Sequence, residues 1–107
     1  MKKLVRDKIP EILTEKNRNH KIETLTDDQQ YLSALHEKLT EEVGEFIQAS
    51  NNQDDEKTKE ELADLLEVID ALYQLKNYDQ REIEAVRLKK KSELGGFGRR
   101  ILLFLED

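Results

Sequence analysis

Two short stretches place carboxylates where a helix would bury them: "EEVGEFIQAS" at residues 41–50 and "EELADLLEVID" at 60–70. In the first, Leu35, Leu39, Val43 and Phe46 mark one helical face. At about 100° per residue, Glu42 falls inside the arc they share with Ala49, and Glu45 follows roughly 60° beyond. In the second, the apolar arc runs from Leu66 through Leu62, Leu65 and Leu72 to Val68. Glu61 lies within that arc and Asp64 just outside it, whereas Glu67 and Asp70 lie further round. Acid pairs at i, i+3 recur throughout this chain, so spacing alone carries little. Position on the helical wheel separates these two pairs from the others.

Packed antiparallel, the two helices would bring Glu42, Glu45, Glu61 and Asp64 together. Such a cluster repels itself strongly unless protons or cations neutralise it. Donors that are all hard carboxylate oxygens suit Mg²⁺, with Mn²⁺ as a substitute, and Mg²⁺ keeps coordination positions for water and substrate phosphates. The chemistry such a site would serve is therefore at phosphate. The plainer readings are solvated helix surface, a capping box between Thr58 and Glu61, and ion pairs from helix lysines such as Lys38. The wheel leaves these open.

The elements that must hold the acids can be read around them. Pro10 suits the first turn of a helix that fades near "NRNH". "KIETLT" alternates like a short strand, and Thr26 with Gln29 resembles a capping box opening a long helix to about Ala49. "SNNQDD" closes that helix, and the next should end near Asn77. Asp79 with Glu82 looks like the cap of another, running from about 79 to 94, where "GGFG" stops it. "RILLFLE" has the composition of a second short strand. The expected fold class is all-α in the main, an antiparallel helical bundle with short strands near the termini.

Length and composition narrow the rest. The 107 residues suffice for one compact domain, 1–107. With 36% hydrophobic and 39% charged residues a lone monomer has a thin core, so a homo-oligomer, at least a dimer, is expected. A net charge of −6 argues against a nucleic acid polymer as partner. The absence of cysteine removes thiol nucleophiles and disulfides, and two widely separated histidines do not make a zinc constellation. No apolar run approaches the roughly 20 residues that span a bilayer, and nothing at the N-terminus resembles a signal peptide. The expected location is the cytoplasm, without membrane association.

Read in full, the acidic motif is EE-x-x-E at Glu41, Glu42 and Glu45, a spacer, then E-x-x-D at Glu61 and Asp64. It resembles that of the MazG-like, all-α nucleotide pyrophosphohydrolases, a superfamily that includes phosphoribosyl-ATP pyrophosphohydrolases and dimeric dUTPases. "KLVRDKIPEIL" at 3–13 and "RLKKKSELGGFGRRILL" at 87–103 are similar to the flanking signatures of a small single-domain branch. The resemblance thus covers nearly the whole chain. It implies Mg²⁺-dependent hydrolysis of a nucleoside triphosphate, or a related nucleotide, to a monophosphate and pyrophosphate. Glu42, Glu45, Glu61 and Asp64 match the metal-binding and catalytic acids, and Glu41 matches a supporting one. Leu94 departs from the pattern, standing where a basic residue is expected before Gly-Gly-Phe.

Without a Cys or His nucleophile, the simplest route is attack of water on phosphorus, with a carboxylate orienting or deprotonating it. Basic side chains should counter the phosphates left uncovered. Lys90 shares a face with Ile83, Val86 and Leu94, where its ammonium needs an anion or a route to solvent. Arg6 and Arg100, in the two flanking signatures, follow it as candidate phosphate contacts. Two other readings remain: a phosphoribosyl-ATP pyrophosphohydrolase of histidine biosynthesis, and a non-catalytic helical interaction module.

Overall fold

The computed structural model describes residues 2–106 and contains four helices, α1 (Ile9–Glu15), α2 (Asp28–Asn51), α3 (Asp55–Lys76) and α4 (Gln80–Leu94). The described residues divide into two compact units, one running to Lys76 and the other beginning at Asn77. The first unit is organised by α2 packed on α3.

Each boundary has a local cause. Pro10 lies in the first turn of α1, where a missing N–H costs nothing. Asn17 then takes φ 55, and Arg18 N donates to Leu13 O while Asn17 N donates to Thr14 O, the Schellman pattern that closes a helix. The same device ends α2: Gln53 takes φ 58, Asp54 N donates to Ala49 O, and Gln53 N donates to Ser50 O. Asp54 at once caps α3, its Oδ1 accepting from Lys57 N at 3.1 Å. Residues 52–54 therefore reverse the chain between two long helices and set them antiparallel.

Two expectations are corrected. The cap of α2 is Asp27, whose carboxylate accepts from Gln29 N at 3.3 Å, and not Thr26. With the helix starting at Asp28, only residue 27 stands one position outside it. Neither "KIETLT" nor "RILLFLE" forms a strand among the described residues. A strand needs a partner edge for its backbone groups, and none is supplied to either segment. The Asp79 cap does form, accepting from Arg81 N at 2.9 Å, and Gly95 at φ 86 ends α4.

The core of the first unit is small. Leu35, Ala49 and Val68 are its buried apolar residues, and two acids, Glu42 and Glu61, are buried as deeply. In the second unit every described residue of α4 is exposed, including Ile83, Val86 and Leu94 beside Lys90. The face that sequence gives Lys90 is thus a solvent-facing one.

Candidate metal centre

α2 and α3 each turn one glutamate inward. Glu42 is 4% exposed and Glu61 2%. Each has an oxygen, Oε2, that is buried and has no hydrogen-bond donor. Two ionised carboxylates cannot satisfy one another, since each only accepts. A shared proton or a cation would supply what both lack, and leaving such atoms unmet is costly in an interior.

The other acids gather around this pair. Carboxylate oxygens of Glu42, Glu61 and Asp64 lie within 4.8 Å of one another, and so do those of Glu41, Glu42 and Glu45. Glu42 belongs to both groups and so links Glu45 to Glu61 and Asp64. The helical hairpin therefore brings Glu42, Glu45, Glu61 and Asp64 to one place, with Glu41 at its edge. Glu45 is the solvent-exposed member.

Protonation follows from this crowding. Burial, then the hydrogen bond with Glu61 and the charge of Glu45, push Glu42 up to about 7. Glu45 is also raised, first by burial and then by Glu61. Burial alone would raise Glu61, but hydrogen bonds from Glu42, Glu45 and Lys57 outweigh it and hold Glu61 down. These shifts favour uptake of a proton by Glu42 beside an ionised Glu61.

Lysines serve the remaining oxygens. Lys38 Nζ lies 3.2 Å from Glu41 Oε2 and 3.4 Å from Glu42 Oε1. Its burial lowers its pKa, but the hydrogen bond to Glu41 and the acids' charges win, and the ammonium is stabilised. Lys57 Nζ lies 3.2 Å from Glu61 Oε1, and that contact raises its pKa. The capping box between Thr58 and Glu61 does not form; the Thr58 hydroxyl donates to Asp54 O at 2.7 Å instead. Lys57 was missed by sequence, although its i, i+4 spacing to Glu61 was the signal.

Among the candidate phosphate contacts, Arg6 is engaged with the acids. Its Nη2 donates to Asp64 Oδ1 at 2.7 Å, and Nη1 lies 3.8 Å from Glu67 Oε1. Lys90 and Arg100 belong to the second unit, where both are exposed, and Arg100 takes φ 59.

The donor set fits a divalent cation of the Mg²⁺ type. All of its groups are carboxylates, two have a buried oxygen without a donor, and a water-accessible acid leaves an open side.

Comparison with known proteins bears on what such a site does. No solved structure matches the chain. An uncharacterized protein of Mycolicibacterium smegmatis (strain ATCC 700084 / mc(2)155) is 46% identical over 54 residues, covering 50% of this chain and 53% of that protein. The match thus spans about half the length of that relative. The phosphoribosyl-ATP pyrophosphohydrolase family profile matches residues 4–90, which include α1 to α3 and all four clustered acids. With most of its length matched, the chain belongs to the phosphoribosyl-ATP pyrophosphohydrolase family, within the MazG-like all-α nucleotide pyrophosphohydrolase superfamily.

Proposed function

We propose that this protein hydrolyses a nucleoside triphosphate, or a related nucleotide, to a monophosphate and pyrophosphate, using Mg²⁺ or Mn²⁺ held by Glu42, Glu45, Glu61 and Asp64. The observation that carries the proposal is the pair of buried, donorless oxygens of Glu42 and Glu61 inside a cluster fed by two helices. A bound divalent cation would supply charge neutralisation for phosphoryl oxygens and would acidify water.

The chain's own groups do the rest. Glu42 and Glu61 are buried and fixed, suited to ligation. Glu45 is the water-exposed acid of the cluster, and we assign it to orient or deprotonate an attacking water. Lys90, Arg6 and Arg100 are the cations assigned to substrate phosphate. The working unit in this proposal is a cytoplasmic homo-oligomer of a single-domain chain, without a nucleic acid polymer or membrane as partner. Among the described residues no helix is long and apolar enough to cross a membrane.

Phosphoribosyl-ATP is the second substrate reading, favoured by the family description over residues 4–90. A panel of nucleoside triphosphates and phosphoribosyl-ATP, with Mg²⁺ and with EDTA, separates the two by release of pyrophosphate. Metal-dependent release from one of them is expected. Release from none would identify a non-catalytic helical module.

A further inference from the structure

The N-terminal segment lies across both acid motifs through its cations. Lys3 Nζ is 3.7 Å from Glu41 Oε1 on α2, and Arg6 binds Asp64 and Glu67 on α3. Residues 2–6 have no regular secondary structure of their own, and these ion pairs tie them to the hairpin beside the half-buried Leu4. Asp64 is therefore asked to serve two cations. It is one of the three acids whose oxygens converge with Glu42 and Glu61, and one of its oxygens is taken by the Arg6 guanidinium at 2.7 Å.

The contact is built to be exchanged. The Arg6 and Asp64 side chains are 55% and 38% exposed, so water screens the pair and its net worth is small. A divalent cation concentrates twice the charge on the same carboxylate and also engages the deeply buried Glu42 and Glu61. Charge neutralised at Asp64 in this way loosens the hold on the guanidinium even where the two cations face different oxygens. A guanidinium released at the rim of such a site has a ready alternative partner, because its planar fork matches phosphate as well as carboxylate.

We propose that Arg6 is a carboxylate-parked phosphate contact: it occupies Asp64 while the acidic cluster lacks a cation and transfers to the substrate's phosphate when a cation takes Asp64. The proposal rests on the assignment of Glu42, Glu61 and Asp64 as cation ligands. It deepens that assignment by giving the N-terminal segment two positions, tied to the hairpin by Asp64 or by the ligand's phosphate. Order of binding follows, with cation first and polyphosphate second, since the arginine becomes available only after its carboxylate is claimed.

The test uses the full chain, Mn²⁺ and inorganic pyrophosphate, with titration calorimetry and hydrogen exchange. Arg6→Gln should tighten Mn²⁺ binding about threefold or more, because no guanidinium has to leave Asp64. It should weaken pyrophosphate binding to the Mn²⁺-loaded protein about tenfold. Hydrogen exchange separates displacement from a through-space effect of the lost charge. In the wild type, exchange of the Ile9 amide, which donates to Arg6 O at 3.1 Å, should quicken on adding Mn²⁺ and slow again on adding pyrophosphate; in Arg6→Gln it should be fast throughout. If Mn²⁺ binds the wild type and Glu61→Gln abolishes binding, but Arg6→Gln leaves both affinities unchanged, the parking of Arg6 is overturned while the metal site stands. Altered affinities without the exchange response also overturn it. If the wild type binds no Mn²⁺, the metal assignment and the parking fall together.

Discussion

Glu42 on α2 and Glu61 on α3 each bury one carboxylate oxygen without a donor, while a lysine on the same helix reaches the other oxygen. The pair is therefore half satisfied from within the protein. The unsatisfied half defines what removal of either acid should do.

Glu61→Gln keeps the side chain's shape and places an amide donor opposite Glu42. Metal affinity and turnover should fall by about a hundredfold or more, because a negative ligand is lost. Stability without metal should hold or rise, within about 1 kcal/mol, since the amide replaces the missing donor and removes repulsion. Calorimetry with Mn²⁺ and denaturant unfolding in EDTA check the two halves.

A pH dependence follows from Glu42. Its folded pKa of about 7 stands above the ordinary 4.5, so the folded form binds more protons than the unfolded one between those values. Stability in EDTA should fall as pH rises through that window, by a few kcal/mol shared among the coupled acids. Glu61 is shifted the other way, and its contribution is lost only on acidification below its ordinary range. Metal-free stability should thus peak near the lower end of the window. With saturating Mg²⁺ the fall should be offset, because the cation binds the deprotonated acid. Melting temperatures at pH 5 and pH 8, with EDTA or Mg²⁺, check this, and Glu42→Gln should reduce the EDTA-state decline to the part that belongs to Glu45.

Assembly is expected from exposed apolar surface. Leu66 on α3 is 65% exposed and Phe97 in the second unit 99%, with Ile101 to Leu105 largely open as well. Sedimentation should show at least a dimer at micromolar concentration. A well-folded, fully active monomer would defeat this expectation.

Lys90 is tested by charge removal. It is exposed on α4, so Lys90→Met and Lys90→Ala should both change stability by less than about 0.5 kcal/mol. A substrate contact predicts that both lower kcat/KM by about tenfold. Steady-state kinetics decide, and unchanged values remove Lys90 from the phosphate site.

What sequence made legible was largely periodic. Helical spacing put Glu42 and Glu61 on the inward face because burial repeats with the helix, and the structure buries both. Asp79 was legible as a cap because an acid one position before a helix has a local partner. Thr26 and Asp27 are adjacent capping residues, and composition could not choose between them. The strand readings failed because alternation describes a face and not the neighbour it needs. Arg6 on Asp64 was illegible for a different reason: a flexible side chain meets an acid far along the chain, and no period links them.

The turn at residues 52–54 carries a kinetic consequence. It makes α2 and α3 neighbours in sequence as well as in space, so the acids meet by closing one short loop, an event of low entropic cost. Helical hairpins of this kind form early and fast. Mutual repulsion of the carboxylates should then be met during hairpin closure, and not only in the finished protein. A divalent cation bound at that stage should shorten refolding as well as prolong the native state, and chelation should slow refolding without any change in the turn itself.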